Sequence, residues 1–372
     1  MKNVLTLNKI AACGTDRFDK TQYQCGDNVQ DPVAIMVRSA AMHDMEIADS
    51  VIAVARAGAG TNNIPIDKYT EKGICVFNTP GANANAVCEL VICGLFMASR
   101  KVAEALDWCK TLKGHGDTVG KEVEKGKSAF AGPEILGKTL GIIGYGAIGK
   151  KVAKSAAALG MTVYAYDSFG NPTSDDERII IASGVEEIYE KCDYISIHIP
   201  LNDATKDFFN AETIAKMKDG VRILNFARGG LVNSDDMIAA LESGKVAAYV
   251  VDFPSDEMID VKGVTAIPHL GASTPESEDN CAVMAADQLI AYIEKGEIVN
   301  SVNLPRVQLP DVKGARTCVI HSAECAAKVK DILGEDATTF IRGDIAYTVA
   351  DVKGDTEKLG ALECVKSVRV IE

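Results

Sequence analysis

Two residues suited to moving a proton and holding an anion stand just after predicted strands late in the chain. His269 follows the predicted strand Val264–Ile267, and Arg228 follows the predicted strand Arg222–Phe226. A histidine titrates near neutral pH and can exchange a proton with a reactant, while an arginine can hold a carboxylate and polarise a carbonyl. Glu257 is a carboxylate that can raise the histidine pKa and fix its tautomer. The set indicates acid–base chemistry on a small anion.

Two further residues near this set have competing interpretations. His198 lies inside the apolar strand Tyr194–Ile199, and we expect it to be structural, with no role in the reaction. Asp252 ends the strand Ala247–Asp252, where its carboxylate can either orient a cofactor or only cap a turn.

A glycine-rich turn near the middle of the chain is the central motif of the sequence. Gly144, Gly146 and Gly149 form a GxGxxG pattern between the predicted strand Thr139–Ile143 and the predicted helix Ile148–Leu159. The first glycine makes the tight turn, the second admits a pyrophosphate, and the third lets the helix pack on the strand. Helix N-terminal amides then face the anion. The pattern alone is weak, but its position between strand and helix favours a dinucleotide site.

Asp167 decides which dinucleotide the turn favours. It ends the second predicted strand, Thr162–Tyr166. A carboxylate there binds the hydroxyls of the adenosine ribose and repels a 2′-phosphate, which favours NAD over NADP. The alternative is that Asp167 only caps the turn that follows the strand.

Two early strand ends carry basic residues that could meet an anionic substrate. Arg38 and Ser39 follow one strand, and Arg56, Ala57 and Gly58 follow the next. Ligands of open parallel sheets bind beyond the carboxyl ends of the strands. The alternative, which these residues alone favour, is that both arginines only pair with surface carboxylates.

Composition limits the class of partner and the compartment. The 372 residues include 39 Lys and Arg against 52 Asp and Glu, and a net charge of −13 argues against a nucleic-acid or anionic membrane partner. The 11 cysteines show no CxxC or zinc-type spacing, so neither a disulfide framework nor a metal site is indicated. The apolar run 86–98 is interrupted by Glu89 and is too short to span a bilayer. We expect a soluble cytoplasmic protein.

Alternating strands and helices predict an α/β fold with two larger domains. A doubly wound, parallel-sheet NAD domain over 100–283 is inserted in a flavodoxin-like α/β substrate domain formed by 1–99 and 284–306. The polar segment 110–127, which contains four glycines, is expected to be a surface excursion or hinge. The tail 315–372 has the order βαββαβ and follows a segment with prolines, so we expect a small, appended, ferredoxin-like α+β module.

Taken together, the motifs resemble the D-isomer-specific 2-hydroxyacid dehydrogenase family, and within it the phosphoglycerate dehydrogenase branch. The likeness spans about residues 30–306 and rests on the order and spacing of several motifs. These are GYGAIG with Asp167, NFARGG with Arg228, VDFPSDE with Asp252 and Glu257, PHLGAST with His269, and earlier VRSA, RAGAGTNN and FNTPGANANAVCEL.

The resemblance implies a mechanism and a cofactor site. Arg228, Glu257 and His269 are the implied catalytic residues. The implied NAD contacts are Ala147, Ile148, Asp167, Pro200, Ala227, Asp252 and Gly271. The implied activity is oxidation of 3-phosphoglycerate to 3-phosphohydroxypyruvate with reduction of NAD, which opens the phosphorylated route to serine. We also expect a homodimer or homotetramer.

The chain departs from the family pattern at three places. Asn62 stands where an aspartate is common, and the chain has Asp252-Phe253-Pro254 where the family has DVF. The tail is similar to an ACT regulatory domain, but its first strand–helix junction, IHSAECA, lacks the glycine turn of a serine-binding site. This argues against feedback control by serine.

Two other functions are compatible with the same motifs. One is reduction of glyoxylate or hydroxypyruvate within the family. Arg38 and Arg56 favour a phosphorylated substrate over these, because two cations in an acidic protein suit a dianion. The other is an NAD-sensing, corepressor-like binding protein, which would bind a peptide without turnover.

Overall fold

The chain divides into two compact units. The computed structural model describes residues 1–170 and 172–372, and its units are 1–83 with 275–372, here the first unit, and 84–274, the second unit. The divisions differ from the predicted ones at 99/100 and 283/284, because each falls in front of a long helix and leaves that helix whole. No helix in the described residues is long and apolar enough to cross a membrane.

The first unit contains a five-stranded parallel sheet in the order β2-β1-β3-β4-β5, the flavodoxin-like order. Its strands are β1 Lys2–Leu7, β2 Tyr23–Gly26, β3 Ala34–Val37, β4 Ala53–Arg56 and β5 Cys75–Phe77, and its helices among them are α1 Ala12–Thr15 and α2 Ile66–Glu71. The edge strand β2 was not predicted, since its sequence YQCG is short and only partly apolar.

The second unit is a seven-stranded parallel sheet with the order β12-β11-β10-β9-β6-β7-β8. This confirms a doubly wound fold whose strand order reverses between β6 and β9, where ligands of such sheets bind. The strands are β6 Thr139–Ile143, β7 Thr162–Tyr166, β8 Ile179–Ile181, β9 Tyr194–Ile197, β10 Val221–Asn225, β11 Val246–Val251 and β12 Val264–Ala266. The helices are α3 Ala84–Arg100, α4 Val102–Thr111, α5 Val119–Gly126, α6 Ala147–Ala158, α7 Val185–Lys191, α8 Ala211–Ala215 and α9 Ser234–Glu242.

The segment 110–127, predicted as a surface excursion or hinge, is mostly exposed and mostly helical. It contains the end of α4, a 3₁₀ turn at Gly116–Thr118 and all of α5. A Cβ atom on Gly126 would lie 2.3 Å from the Trp108 ring, which itself packs against Phe130. This glycine therefore serves close packing, whereas the sequence pattern suggested flexibility.

The rest of the first unit begins with the long helix α10 and ends in an antiparallel sheet of order β14-β15-β13-β16. The elements are α10 Pro275–Lys295, β13 Arg316–Ser322, α11 Ala326–Leu333, β14 Thr338–Arg342, β15 Ile345–Ala350, α12 Thr356–Gly360 and β16 Val365–Ile371. This confirms the ferredoxin-like βαββαβ order of the tail.

The tail shares a hydrophobic core with the rest of the first unit. Ile320 and Tyr347 of the tail belong to the same buried cluster as Tyr292 of α10. The Arg369 guanidinium lies 3.9 Å over the Tyr292 ring and donates to the Tyr292 carbonyl, and buried Arg316 donates to the Lys295 carbonyl. The predicted appended module is thus packed against the end of α10, where its two arginines donate to carbonyls of the last helical turn.

One disulfide corrects the cysteine analysis. The structure joins Cys325, at the start of α11, to Cys364, just before β16, with Cα atoms 6.2 Å apart. The two residues are 39 positions apart in the sequence, so only the fold brings them together.

Candidate active site

The predicted site residues of the second unit gather at one edge of its sheet. Adjacent parallel strands present their carboxyl ends at the same edge, and every strand from β6 to β12 except β8 is followed there by a predicted residue. In sheet order these are His269 after β12, Asp252 after β11, Ala227 and Arg228 after β10, Pro200 after β9, Gly144 after β6 and Asp167 after β7.

The glycine turn has the shape of a pyrophosphate cradle. Gly144 has φ +97° and a Cβ there would lie 2.7 Å from the His198 carbonyl, while a Cβ on Gly149 would lie 2.1 Å from the Gly144 oxygen. A Cβ on Gly146 would meet no described atom within 4 Å. Helix α6 begins at Ala147 and none of the described side chains caps its amides. The open backbone and uncapped amides fit an anion.

Asp167 lies directly after β7 and is half-buried. Its Oδ1 accepts a hydrogen bond of 2.9 Å from the Phe169 amide. One oxygen therefore orders the following turn, as the capping interpretation predicted. The contact uses Oδ1 and does not exclude a ligand at Oδ2.

Asp252 is a buried carboxylate with unmet hydrogen-bonding capacity. It is 2% exposed, and neither of its oxygens has a hydrogen-bond partner among the described residues. Burial raises its pKa to about 6, while the charge of Arg228 acts in the opposite direction. Its Oδ2 faces Gly271, where a Cβ would lie 3.8 Å away. An unpaired buried carboxylate is costly, which fits a group that waits for a ligand donor.

Phe253 joins the two predicted reactive side chains. Its ring centroid lies 4.1 Å from that of His269, and the Arg228 guanidinium lies 5.2 Å from the same ring. The Asn225 side chain fixes the Arg228 loop by donating to the Arg228 carbonyl over 2.9 Å. His269 and Arg228 are both exposed, so the two groups are open to a reactant while the aromatic ring holds them.

Glu257 follows Phe253 on the same loop, in the 3₁₀ turn Asp256–Met258. Its carboxylate is fully exposed, and hydrogen bonding to Ser255 holds its pKa below the usual range. Glu257 is therefore ionised at neutral pH, as a partner for an imidazolium must be.

His198 was predicted inside a strand and lies directly after β9. Its Nε2 lies 2.9 Å from the Ser196 hydroxyl, and burial lowers its pKa to about 4. The ring is neutral at pH 7 and is not suited to exchange protons there.

The predicted substrate residues of the first unit cluster at the ends of β3 and β4. Val37 is paired with Arg56 in the sheet, so Arg38 follows it at the same edge. The Arg56 Nε donates to the Arg38 carbonyl over 3.1 Å. Arg38 forms an ion pair with Glu278 of α10, with Nη2 2.6 Å from Oε1. The arginine thus has the carboxylate partner that the alternative interpretation expected.

Two backbone amides next to these arginines donate hydrogen bonds to other groups of the protein. The Ser39 amide donates to Asn8 Oδ1 over 3.0 Å, and the Ala57 amide donates to the Val37 carbonyl over 2.7 Å. Gly58 has φ +155°, a backbone conformation that favours glycine, and a Cβ there would also displace the flexible end of the Arg56 side chain.

Known proteins similar to this chain settle its family. Residues 93–271 match the family model described as D-isomer specific 2-hydroxyacid dehydrogenase, NAD binding domain. A hydroxypyruvate reductase from Thermotoga maritima is 38% identical over 268 residues, which cover 68% of this chain and 83% of that protein. The chain belongs to the D-isomer specific 2-hydroxyacid dehydrogenase family.

Other members of this family are similar over much of the chain. A D-3-phosphoglycerate dehydrogenase from Haemophilus influenzae is 33% identical, covering 83% of this chain and 77% of its own. One from Bacillus subtilis is 34% identical over 73% of this chain, but the matched stretch spans only 51% of that longer protein.

Solved structures of the family share the fold. A glyoxylate reductase from Paecilomyes thermophila aligns with a TM-score of 0.67 and 26% identity, over 81% of this chain and 98% of that one. An NAD⁺-bound 3-phosphoglycerate dehydrogenase from Entamoeba histolytica aligns with a TM-score of 0.63 and 26% identity, over 81% and 98%.

Three residues that sequence reasoning did not assign to the site emerge from the structure. Phe253 contacts both predicted reactive side chains, Glu278 pairs with Arg38, and Asn8, with a left-handed φ of 66°, accepts from the Ser39 amide after Arg38. Phe253 stood out in the sequence only as a departure from the family motif. The other two gave no signal, because their contacts join distant parts of the chain.

Proposed function

We propose that the protein is an NAD-dependent dehydrogenase that oxidises 3-phospho-D-glycerate to 3-phosphohydroxypyruvate, the first step of phosphorylated serine biosynthesis. The observation that carries the proposal is the meeting of Arg228 and His269 on the Phe253 ring, at the sheet edge that also holds the glycine turn. Two relatives that are named D-3-phosphoglycerate dehydrogenase support the choice of substrate.

The three reactive residues have separate roles in the proposed reaction. His269 accepts the proton of the substrate hydroxyl as the alcohol becomes a ketone. Arg228 holds the substrate carboxylate and polarises the forming carbonyl. Glu257 stabilises the imidazolium that results. Bound NAD supplies the acceptor for the hydride that leaves the substrate carbon.

The second unit has groups that fit each part of NAD. The uncapped amides of α6 receive the pyrophosphate, and Asp167 receives the ribose hydroxyls. Asp252 accepts from the carboxamide of the nicotinamide, which gives its buried oxygens the donor that the described residues do not provide. Other residues proposed to contact NAD are Ala147, Ile148, Pro200, Ala227 and Gly271.

Replacing Asp167 by alanine should weaken NAD binding and narrow the preference for NAD over NADP. The change removes a ribose contact and the repulsion of a 2′-phosphate together. Steady-state kcat/KM with each cofactor measures the preference. Asp175→Ala removes an exposed carboxylate from the loop that follows β7 and serves as the control. A cofactor ratio equal to that of wild type in Asp167→Ala contradicts the ribose assignment.

Arg38→Ala should raise the KM for 3-phosphoglycerate by on the order of tenfold, because a charge-assisted contact to the phosphate is lost. The KM for unphosphorylated glycerate should change little. Arg17→Ala is a matched control, since Arg17 also pairs with a carboxylate of α10, Asp287. Equal effects of Arg38→Ala on both substrates reduce Arg38 to a surface ion pair.

Reduction of hydroxypyruvate is the second candidate function. The Arg38–Glu278 ion pair favours hydroxypyruvate reduction, because Glu278 already binds the guanidinium that is proposed to bind a phosphate. The Thermotoga maritima relative named hydroxypyruvate reductase supports it as well. A substrate screen that follows NADH absorbance with phosphoglycerate, glycerate, hydroxypyruvate and glyoxylate decides between the two. The proposed function predicts the highest kcat/KM for the phosphorylated acid.

A further inference from the structure

Glu278 forms an ion pair with Arg38, the residue whose guanidinium is proposed to bind the substrate phosphate. It lies near the start of α10, and its Oε1 is 2.6 Å from Arg38 Nη2. The two side chains are 41% and 39% exposed, respectively. The ion pair is therefore accessible to solvent and to a small anion.

An ion pair this exposed can exchange its partner. Solvent-exposed salt bridges are individually weak, so a phosphate dianion can replace the carboxylate at Arg38. The carboxylate then remains on the same helix beside a bound anion of like charge, and like charges in proximity disfavour each other. An unphosphorylated substrate has no group for this position and leaves the ion pair intact.

We propose that Glu278 is a specificity-determining residue, which competes with the substrate phosphate for Arg38 and lowers the preference for phosphorylated over unphosphorylated 2-hydroxy acids. The inference rests on the proposed function, because it assumes that Arg38 faces the substrate. It extends that function to the residue that sets the balance between its two candidate substrate classes.

Glu278→Gln tests the competition with little change in side-chain shape. The variant should bind 3-phosphoglycerate on the order of fivefold more tightly in the presence of NAD, measured by calorimetry. Its KM for this substrate should fall likewise, with kcat unchanged, and its binding of glycerate should not change. Glu278→Asp keeps the charge and should retain wild-type selectivity.

A neighbouring substitution separates the ion pair from the general field of the helix. Glu276→Gln removes the same charge from an exposed position in the first turn of α10, and it should leave the ratio of the two affinities unchanged. In an Arg38→Ala background, Glu278→Gln should also have no effect on this ratio.

Phosphoglycerate binding tests the role of Glu278, and NADH formation tests the proposed function, so the two can fail separately. Unchanged or weaker phosphoglycerate binding in Glu278→Gln overturns the inference, because the carboxylate then orients Arg38 or is unrelated to the substrate. A fivefold gain that persists in the Arg38→Ala background overturns it too. Absence of NADH formation from phosphoglycerate by the wild type contradicts the proposed function, while the binding measurement still decides the role of Glu278.

Discussion

Replacing His269 by alanine should lower turnover by a factor on the order of 10² or more, the scale of general acid–base catalysis. NAD binding should be nearly unchanged, since the proposed cofactor contacts other than Gly271 lie on other strand ends and the substitution leaves Gly271 in place. The imidazole is exposed and packed against Phe253, so its removal leaves no cavity in the core. Initial rates of NADH formation and calorimetric NAD binding give the two quantities.

His115→Ala is the control for loss of a histidine as such. His115 pairs with Glu122 in the helical segment 110–127, which follows none of the strands of the second unit. This variant should keep wild-type turnover. A His269→Ala enzyme with more than a tenth of wild-type turnover at saturating substrate and cofactor excludes His269 as the proton-transfer group.

The role of Glu257 follows from the same experiment carried out as a function of pH. A nearby negative charge favours the protonated imidazole, so Glu257→Gln should move the pH–rate profile to lower pH. Glu257 is fully exposed and carries its charge at neutral pH, which makes the neutral variant a clean comparison. A profile that stays in place shows that the two residues are not coupled.

The sequence was sufficient for the parts of the site that depend on local structure. The turn between β6 and α6 could be predicted because a buried strand, three spaced glycines and a helix follow one another within a few residues. Asp167, Arg228, Asp252 and His269 could be placed because each follows an apolar run. Parallel strands bring such ends together without further information.

The sequence was not sufficient where side chains from distant parts of the chain meet. Arg38 and Glu278 are 240 residues apart, and only the packing of α10 in the first unit joins them. Phe253 gave a motif mismatch but no sign that its ring contacts both reactive groups. The four glycines of 110–127 suggested a surface excursion or hinge, whereas at Gly126 the Trp108 ring leaves no room for a side chain.

Contacts between distant parts of the chain also explain why the packing of the tail could not be predicted. Its βαββαβ order could be predicted from alternation and turn residues, but its attachment could not. Arg316 and Arg369 appear in the sequence as ordinary strand arginines. In the structure they donate to carbonyls at the C-terminus of α10 and make the tail part of the first unit. Buried arginines become structural only when a partner element supplies acceptors.

Asp252→Asn should make the protein more stable relative to wild type as pH rises from 4 to 8. The pKa of Asp252 is raised to about 6 by burial, so the folded state resists ionisation. Near pH 4 the folded carboxyl is protonated and the penalty is small. Above pH 6 the group is charged and buried, and the full penalty, about 3 kcal/mol, applies. Asparagine cannot ionise and avoids it.

Thermal unfolding at several pH values, without NAD, measures this difference. The Tm of Asp252→Asn minus that of wild type should increase by several degrees between pH 4 and pH 8. The amide itself can change the Tm by an amount that does not depend on pH. Comparing the Tm difference at two pH values cancels this constant contribution. Asp256→Asn alters an exposed carboxylate four residues later and should show no such trend.

Added NAD should stabilise wild type more than Asp252→Asn at pH 8. A ligand that binds the folded state more tightly stabilises it more at a given concentration, and the wild-type carboxylate is proposed to accept from the nicotinamide carboxamide. NAD should therefore raise the Tm of wild type more than that of Asp252→Asn. A pH-independent Tm difference shows that Asp252 carries no ionisation penalty in the fold. Equal stabilisation of both proteins by NAD shows that its unpaired oxygens do not meet the cofactor.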